Sequence, residues 1–269
     1  MSLDVLTDPL FRVPFLVGLL LAVVLPALGV LLRFREEWLA ALGLAHLAGA
    51  SGLLGTAVHL PVVAGAALGA MAGAAVKSLW HIGGNTVYAL MILIGWSASL
   101  VAAANTTLGG VLGHALIEGQ LYFAGIQHLA AAAAVAVCSA VALPYLAPRL
   151  AHARLFPGEE AANRQPSWRW QVGFDMLVAL GIAVGTSSLG LMAAFALAFV
   201  PPWVAFRLAR DWRSCFTFSI GFAVPAYVVA FASALLLDQP FGPVLVAVLV
   251  LLGGVSRLAF NHGTLNRGV

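Results

Sequence analysis

Charge is what this chain of 269 residues has least of: 9% of its residues are Asp, Glu, Lys or Arg, against about 25% in soluble domains. Hydrophobic residues make up 62% and the mean hydropathy is +1.01, which excludes a water-soluble fold because no interior hides that much apolar surface. Lysine occurs once, at Lys77, and the arginines are spread over short loops, so the pI near 9.2 reflects membrane topology and not a nucleic-acid surface. Cysteine occurs twice, at Cys138 and Cys215. Both lie in apolar segments without CxxC or Cys/His ligand spacing, which excludes a disulfide framework and predicts buried thiols. HExxH, GxSxG, a Walker P-loop and GxGxxG are absent from any fitting context, so the chain is expected not to be an enzyme and not to hydrolyse ATP itself.

What remains is a series of apolar runs. About 20 residues at 1.5 Å rise cross a hydrocarbon core of about 30 Å. Cutting the chain at charges and Pro/Gly turns gives spans at 14–32, 38–58, 60–76, 86–106, 128–148, 172–189, 190–206, 214–237 and 241–258. The expected fold is an all-α integral membrane protein, a polytopic bundle of about eight or nine transmembrane helices forming one domain over 1–269. Arg33 and Arg35 after the first span favour a retained anchor over a cleaved signal.

With the N-terminus outside, the inner loops and C-terminal end hold Arg33, Arg35, Lys77, Arg149, Arg154, Arg164, Arg169, Arg207, Arg210, Arg213, Arg257 and Arg267, leaving only Arg12 outside among 13 Lys+Arg. That asymmetry predicts a cytoplasmic C-terminus. A tenth, half-apolar stretch at 107–127 would spoil the parity if it crossed, so it reads as an outer re-entrant or interfacial helix. Gly65, Gly69 and Gly73 form a flat stripe for close helix packing. Pro26, Pro144, Pro201, Pro202 and Pro225 lie mid-span, where each removes a backbone donor. The largest inner loop, Arg149 to Trp170, carries GEEAANR at Gly158 to Arg164 and a Trp168-Arg169-Trp170 belt; it reads as a small amphipathic helix or as a solvated loop with interfacial tryptophans.

Ionisable groups inside spans are costly and therefore suspect. They are His46, Glu118 and Asp175, with His59, His81, His114, His128 and Asp238 at span edges. His46 sits midway along the second span, where a neutral imidazole accepts a helix–helix hydrogen bond or ligates a transition metal. His114 and Glu118 are four apart, so on a helix they share one face, either to hold a divalent cation or to bond each other.

The order of segments resembles the permease subunit of ABC-type zinc/manganese uptake systems, the zinc permeases most closely. The resemblance runs through LLRFREEW, LAALGLAHLAGASGLLG at Leu39 to Gly55, GNTVYALMILIGWSASL at Gly84 to Leu100 and LIEGQLYFAGIQHL at Leu116 to Leu129. It continues in LGLMAAFALAFVPPWVAFRLAR at Leu189 to Arg210 and LLLDQPFGPVLVAVLVLL at Leu235 to Leu252. His46 stands in the family's histidine place, while Leu42, Asn85 and Gln120 replace three family aspartates. A path with fewer carboxylates and several imidazoles favours zinc over manganese or iron.

The resemblance implies a permease homodimer in a bacterial plasma (inner) membrane, a cytoplasmic ABC ATPase on the inner loops, and a periplasmic or extracellular metal-binding protein outside. It implies no permanently bound cofactor and no nucleic acid, the metal being cargo. On this reading His46 is the metal-contacting residue, His114, Glu118, Asn85 and Gln120 line the substrate path, and Glu159, Glu160 and Arg164 belong to the ATPase-coupling helix. A stand-alone secondary carrier or ion channel, and an ABC permease for a non-metal cargo, remain as alternatives.

Overall fold

The computed structural model describes residues 8–79, 84–105, 119, 121–156 and 168–265. Nine helices stand in these residues: α1 (Arg12–Phe34), α2 (Leu39–Ala57), α3 (Val62–Leu79), α4 (Asn85–Asn105), α5 (Ile126–Leu155), α6 (Trp168–Leu189), α7 (Leu191–Leu208), α8 (Trp212–Leu237) and α9 (Phe241–Leu265). Seven are long and apolar enough to cross a bilayer; α3 and α9 carry shorter apolar stretches at 62–78 and 241–256. Every helix overlies a span cut from the sequence. Helix is the only regular way to satisfy the backbone of such runs in lipid short of a closed barrel.

The boundary between α6 and α7 is a single residue. Gly190 adopts φ 94°, a left-handed conformation that strains any side chain, and it is the N-cap of α7. At α8, the Asp211 carboxylate accepts the Ser214 N–H at 2.8 Å while the Asp211 N–H donates to the Ser214 hydroxyl oxygen at 3.2 Å. This capping box holds the Asp211 carboxyl below the usual carboxylate range, chiefly through the Ser214 backbone bond.

The glycine stripe does what its spacing suggests. A methyl at Gly65 would lie 2.7 Å from the Ser51 carbonyl oxygen, and methyls at Gly69 and Gly73 would collide with Ser51 and Leu47, so α3 lies almost backbone to backbone on α2. Ala66 and Ala70 between them are fully buried. Pro26, Pro144, Pro201, Pro202 and Pro225 all lie inside helices, and Pro148 joins them in α5.

Contacts fix which helix ends share a side. Arg33 lies over Phe206, Phe34 meets Trp212 edge-on at 5.3 Å, and Arg154 pairs with Glu36 at 3.1 Å. The ends of α1, α5 and α7 and the starts of α2 and α8 thus meet on one side, where the basic residues collect. Opposite them, Phe11 and Tyr122 meet at 5.7 Å, Tyr122 and Phe241 at 6.4 Å, and the Tyr227 hydroxyl donates to the Phe15 carbonyl at 2.9 Å.

Two expectations need correction. Cys138 is exposed on α5 while Cys215 is buried, because Cys138 falls on the outward face beside Val137 and Val141. The loop from Arg149 to Trp170 is also shorter than its composition suggests, since Arg149 belongs to α5 and Trp168 to Trp170 open α6. The Arg149 guanidinium lies 3.7 Å from the Trp170 ring centroid, so cation–π stacking joins the two helix ends. Of the stretch 107–127, residues 121–123 form a short 3-10 turn and α5 begins at Ile126; residues 106–118 and 120 lie outside the described residues.

Candidate functional site

The helix that carries His46 is built almost entirely of small residues. LAALGLAHLAGASGLLGTA lets α3, α4, α6 and α7 all approach α2, which becomes the hub of this half of the bundle. His46 is 7% exposed. A methyl at Gly95 of α4 would sit 2.5 Å from the His46 carbonyl carbon, so the two backbones touch there. The imidazole meets the Trp96 ring edge-on at 6.0 Å between centroids. No hydrogen bond or ion pair engages it among the described residues. A buried imidazole with a free nitrogen suits a soft divalent cation stripped of part of its water.

The other residues named from the sequence do not gather around it. Asn85 is exposed at the first position of α4, ten residues and hence roughly 15 Å along the axis from Gly95. Leu42 lies one turn before His46 on α2 and packs, half-buried, against the core. His114, Glu118, Gln120, Glu159, Glu160 and Arg164 lie outside the described residues. Among the described residues, no three His, Cys, Asp or Glu side chains converge to hold a metal ion.

What the structure adds is a cluster of four charges on the basic side, two of them buried and two partly buried. Asp175 of α6 and Lys77 of α3 are 5% and 8% exposed. Lys77 Nζ lies 2.9 Å from Asp175 Oδ2 and 2.9 Å from Glu37 Oε2. Arg35 completes the ring, its Nη1 donating to Asp175 Oδ1 at 3.2 Å and its Nη2 to Glu37 Oε2 at 2.8 Å. Ser78 adds a hydroxyl hydrogen bond to Asp175 Oδ2 at 2.9 Å. Phe174 covers the guanidinium and Tyr88 the ammonium, at 5.4 Å and 5.7 Å to the ring centroids. Two carboxylates and two cations leave the cluster neutral, which is what allows it to be buried. A cavity of about 10 Å³, one water-sized probe, opens beside Lys77, Tyr88 and Asp175.

Sequence reading singled out Asp175 but not its partners. The signal available was arithmetic: in so charge-poor a chain, a carboxylate within a span must meet a cation. Which groups it meets depends on contacts across 140 residues for the Arg35 guanidinium and 97 for the Ser78 hydroxyl, and spacing does not encode those.

The folded chain is thus a membrane-embedded helical bundle with one basic end, a buried imidazole at mid-depth and a neutralised charge cluster toward the basic end. It shares its fold with ABC-transporter permeases. One solved structure, PsaBC from Streptococcus pneumoniae in complex with Fab, superposes with a TM-score of 0.81 at 15% identity, covering 94% of this chain and 92% of that one. A second, a metal-chelate type ABC transporter in an inward-facing conformation, gives 0.69 at 15% identity over 91% of this chain and 85% of that one. No protein-family model matches the sequence, and no curated protein matches it.

Proposed function

We propose that this chain is the membrane permease of an ATP-driven importer for a divalent transition metal, with zinc as the cargo. What carries the reading is the superposition on the pneumococcal PsaBC chain along 94% of the sequence, in a bundle where α2 holds a buried imidazole with no hydrogen-bond partner among the described residues. In this reading the arginine-bearing ends face the cytoplasm, where a separate ABC ATPase docks as a dimer on two permease copies. A metal-binding protein delivers the ion to the opposite face. Nucleotide-driven closure of the ATPases rocks the helices, and His46 exchanges with the ion's water ligands as it passes. Glu159, Glu160 and Arg164 form the coupling segment, and His114, Glu118, Asn85 and Gln120 belong to the path.

One observation favours a second cargo class. The absence of a three-ligand cluster among the described residues suits a chelated metal or a non-metal solute as well as a bare ion. A single reconstitution separates the readings. Liposomes holding the chain and its ATPase are expected to accumulate zinc only with ATP and the delivering protein. Uptake by the chain alone under an ion gradient would replace this reading with a secondary carrier, and ATP-dependent uptake of chelate but not free ion would move the cargo class.

A further inference from the structure

Away from α2, a groove of about 930 Å³ runs between α1, α5 and α8 and opens laterally toward the bilayer. That volume lies near the top of the range for small-molecule sites, about 300–1,000 Å³. Its walls are apolar, with Leu20, Val23, Leu143 and Phe216 among them, so a hydrated ion gains nothing there. It nevertheless holds polar atoms without partners. Ser139 is 3% exposed and lines the groove, and its hydroxyl has no hydrogen-bond partner among the described residues. Pro144 and Pro148 lack N–H groups, so the carbonyls of Ala140 and Pro144, both on the groove wall, lose their usual helical donors.

One end of the groove is marked by charge. Trp212 and Arg213 close it on the basic side, at the start of α8. Arg213 is exposed and makes no ion pair among the described residues. The neighbouring carboxylate, Asp211, feels the Arg213 charge but spends its oxygen on the Ser214 N–H. Arg149 follows Pro148 on the adjoining rim and adds a second positive charge, stacked on Trp170. From Trp212 to Ile220 the groove descends eight residues of α8, about 12 Å, which approximates one leaflet of a hydrocarbon core of about 30 Å.

We propose that this groove is a binding site for an anionic phospholipid of the leaflet on the arginine-rich side. One acyl chain lies between α1, α5 and α8, the phosphate sits on Arg213 at the level of Trp212, and the glycerol-ester region lies along the rim. Basic pockets between transmembrane helices recognise lipid headgroups in this way, and an interfacial tryptophan fixes the depth. The site is independent of the cargo and of the ATPase, so its failure leaves the importer reading standing.

Native mass spectrometry of the full chain in detergent, titrated with phosphatidylglycerol or phosphatidylcholine, tests it. The wild-type chain is expected to retain phosphatidylglycerol about fivefold more strongly, the share one arginine near the surface contributes. Arg213→Ala, an exposed position that the fold does not need, should erase that preference while leaving residual binding of both lipids. Ala140→Trp, also exposed and on the groove wall, should abolish retention of either lipid, whereas Leu93→Trp on the outward face of α4 should change nothing. Equal retention of both lipids by the wild-type chain, or full retention by Ala140→Trp, overturns the proposal. So does near-complete disulfide-linked dimer from Ala140→Cys in a background with Cys138 and Cys215 replaced, which would place a second copy of the chain in the groove.

Discussion

His46 is enclosed by backbone more than by side chains. Its carbonyl rests against Gly95, its ring touches Trp96, and nothing polar claims its nitrogens among the described residues. His46→Ala removes only a ring at the edge of a small-residue interface, so assembly and thermal stability should hold. Zinc uptake by the reconstituted transporter is expected to fall about tenfold or more, equivalent to at least about 1.4 kcal/mol in the rate-limiting interaction with the ion. Unchanged uptake in a folded variant would take His46 off the route. The position was legible because an imidazole in the middle of an alanine–glycine run is conspicuous. Its neighbour Gly95 was not, since one glycine in an apolar helix looks like any other until the opposing backbone is seen.

Between elements, the charge cluster is the tie that fixes α3, α6 and the α1–α2 corner to one another. Removing one member strands its partners: Lys77→Met leaves Asp175 and Glu37 sharing a single guanidinium in a buried site, which should cost about 3–5 kcal/mol. Lys77→Met combined with Glu37→Leu keeps the Arg35–Asp175 pair and restores neutrality, so most of that loss should return. Thermal unfolding in detergent micelles reads both variants, and a double variant no more stable than the single one would mean the cluster does not act as a neutral unit. Helix positions themselves were readable, since apolar run length dictates them, and even the adjoining pair at 172–206 was divided at the glycine where the backbone turns. The helix ends extended beyond the apolar runs, as at Arg149 and Trp168, because aromatic stacking and interfacial polarity sustain a helix past the point where hydropathy marks it.

For the molecule as a whole, the decisive property is that most of the basic residues among the described ones gather at one end, as the contacts of Arg33, Arg35, Lys77 and Arg154 establish geometrically, with Arg12 at the other. Orientation in the membrane follows from that asymmetry as an expectation. In a chain with Cys138 and Cys215 replaced, a membrane-impermeant thiol reagent applied to intact cells should label Asp238→Cys and spare Arg154→Cys until the membrane is opened. The reverse pattern would put the arginine ends outside and leave a cytoplasmic ATPase nothing to grip. The fold was thus within reach of composition and length, while the meeting of distant groups, whether four charges or the three walls of a groove, required the packed bundle.

The one-residue join at Gly190 bears on how the bundle can move. With no slack between α6 and α7, a displacement of either helix at that end is passed directly to the other, so the two form one corner and not two independent rods, and any residue with a Cβ at Gly190 would load its backbone strain onto both.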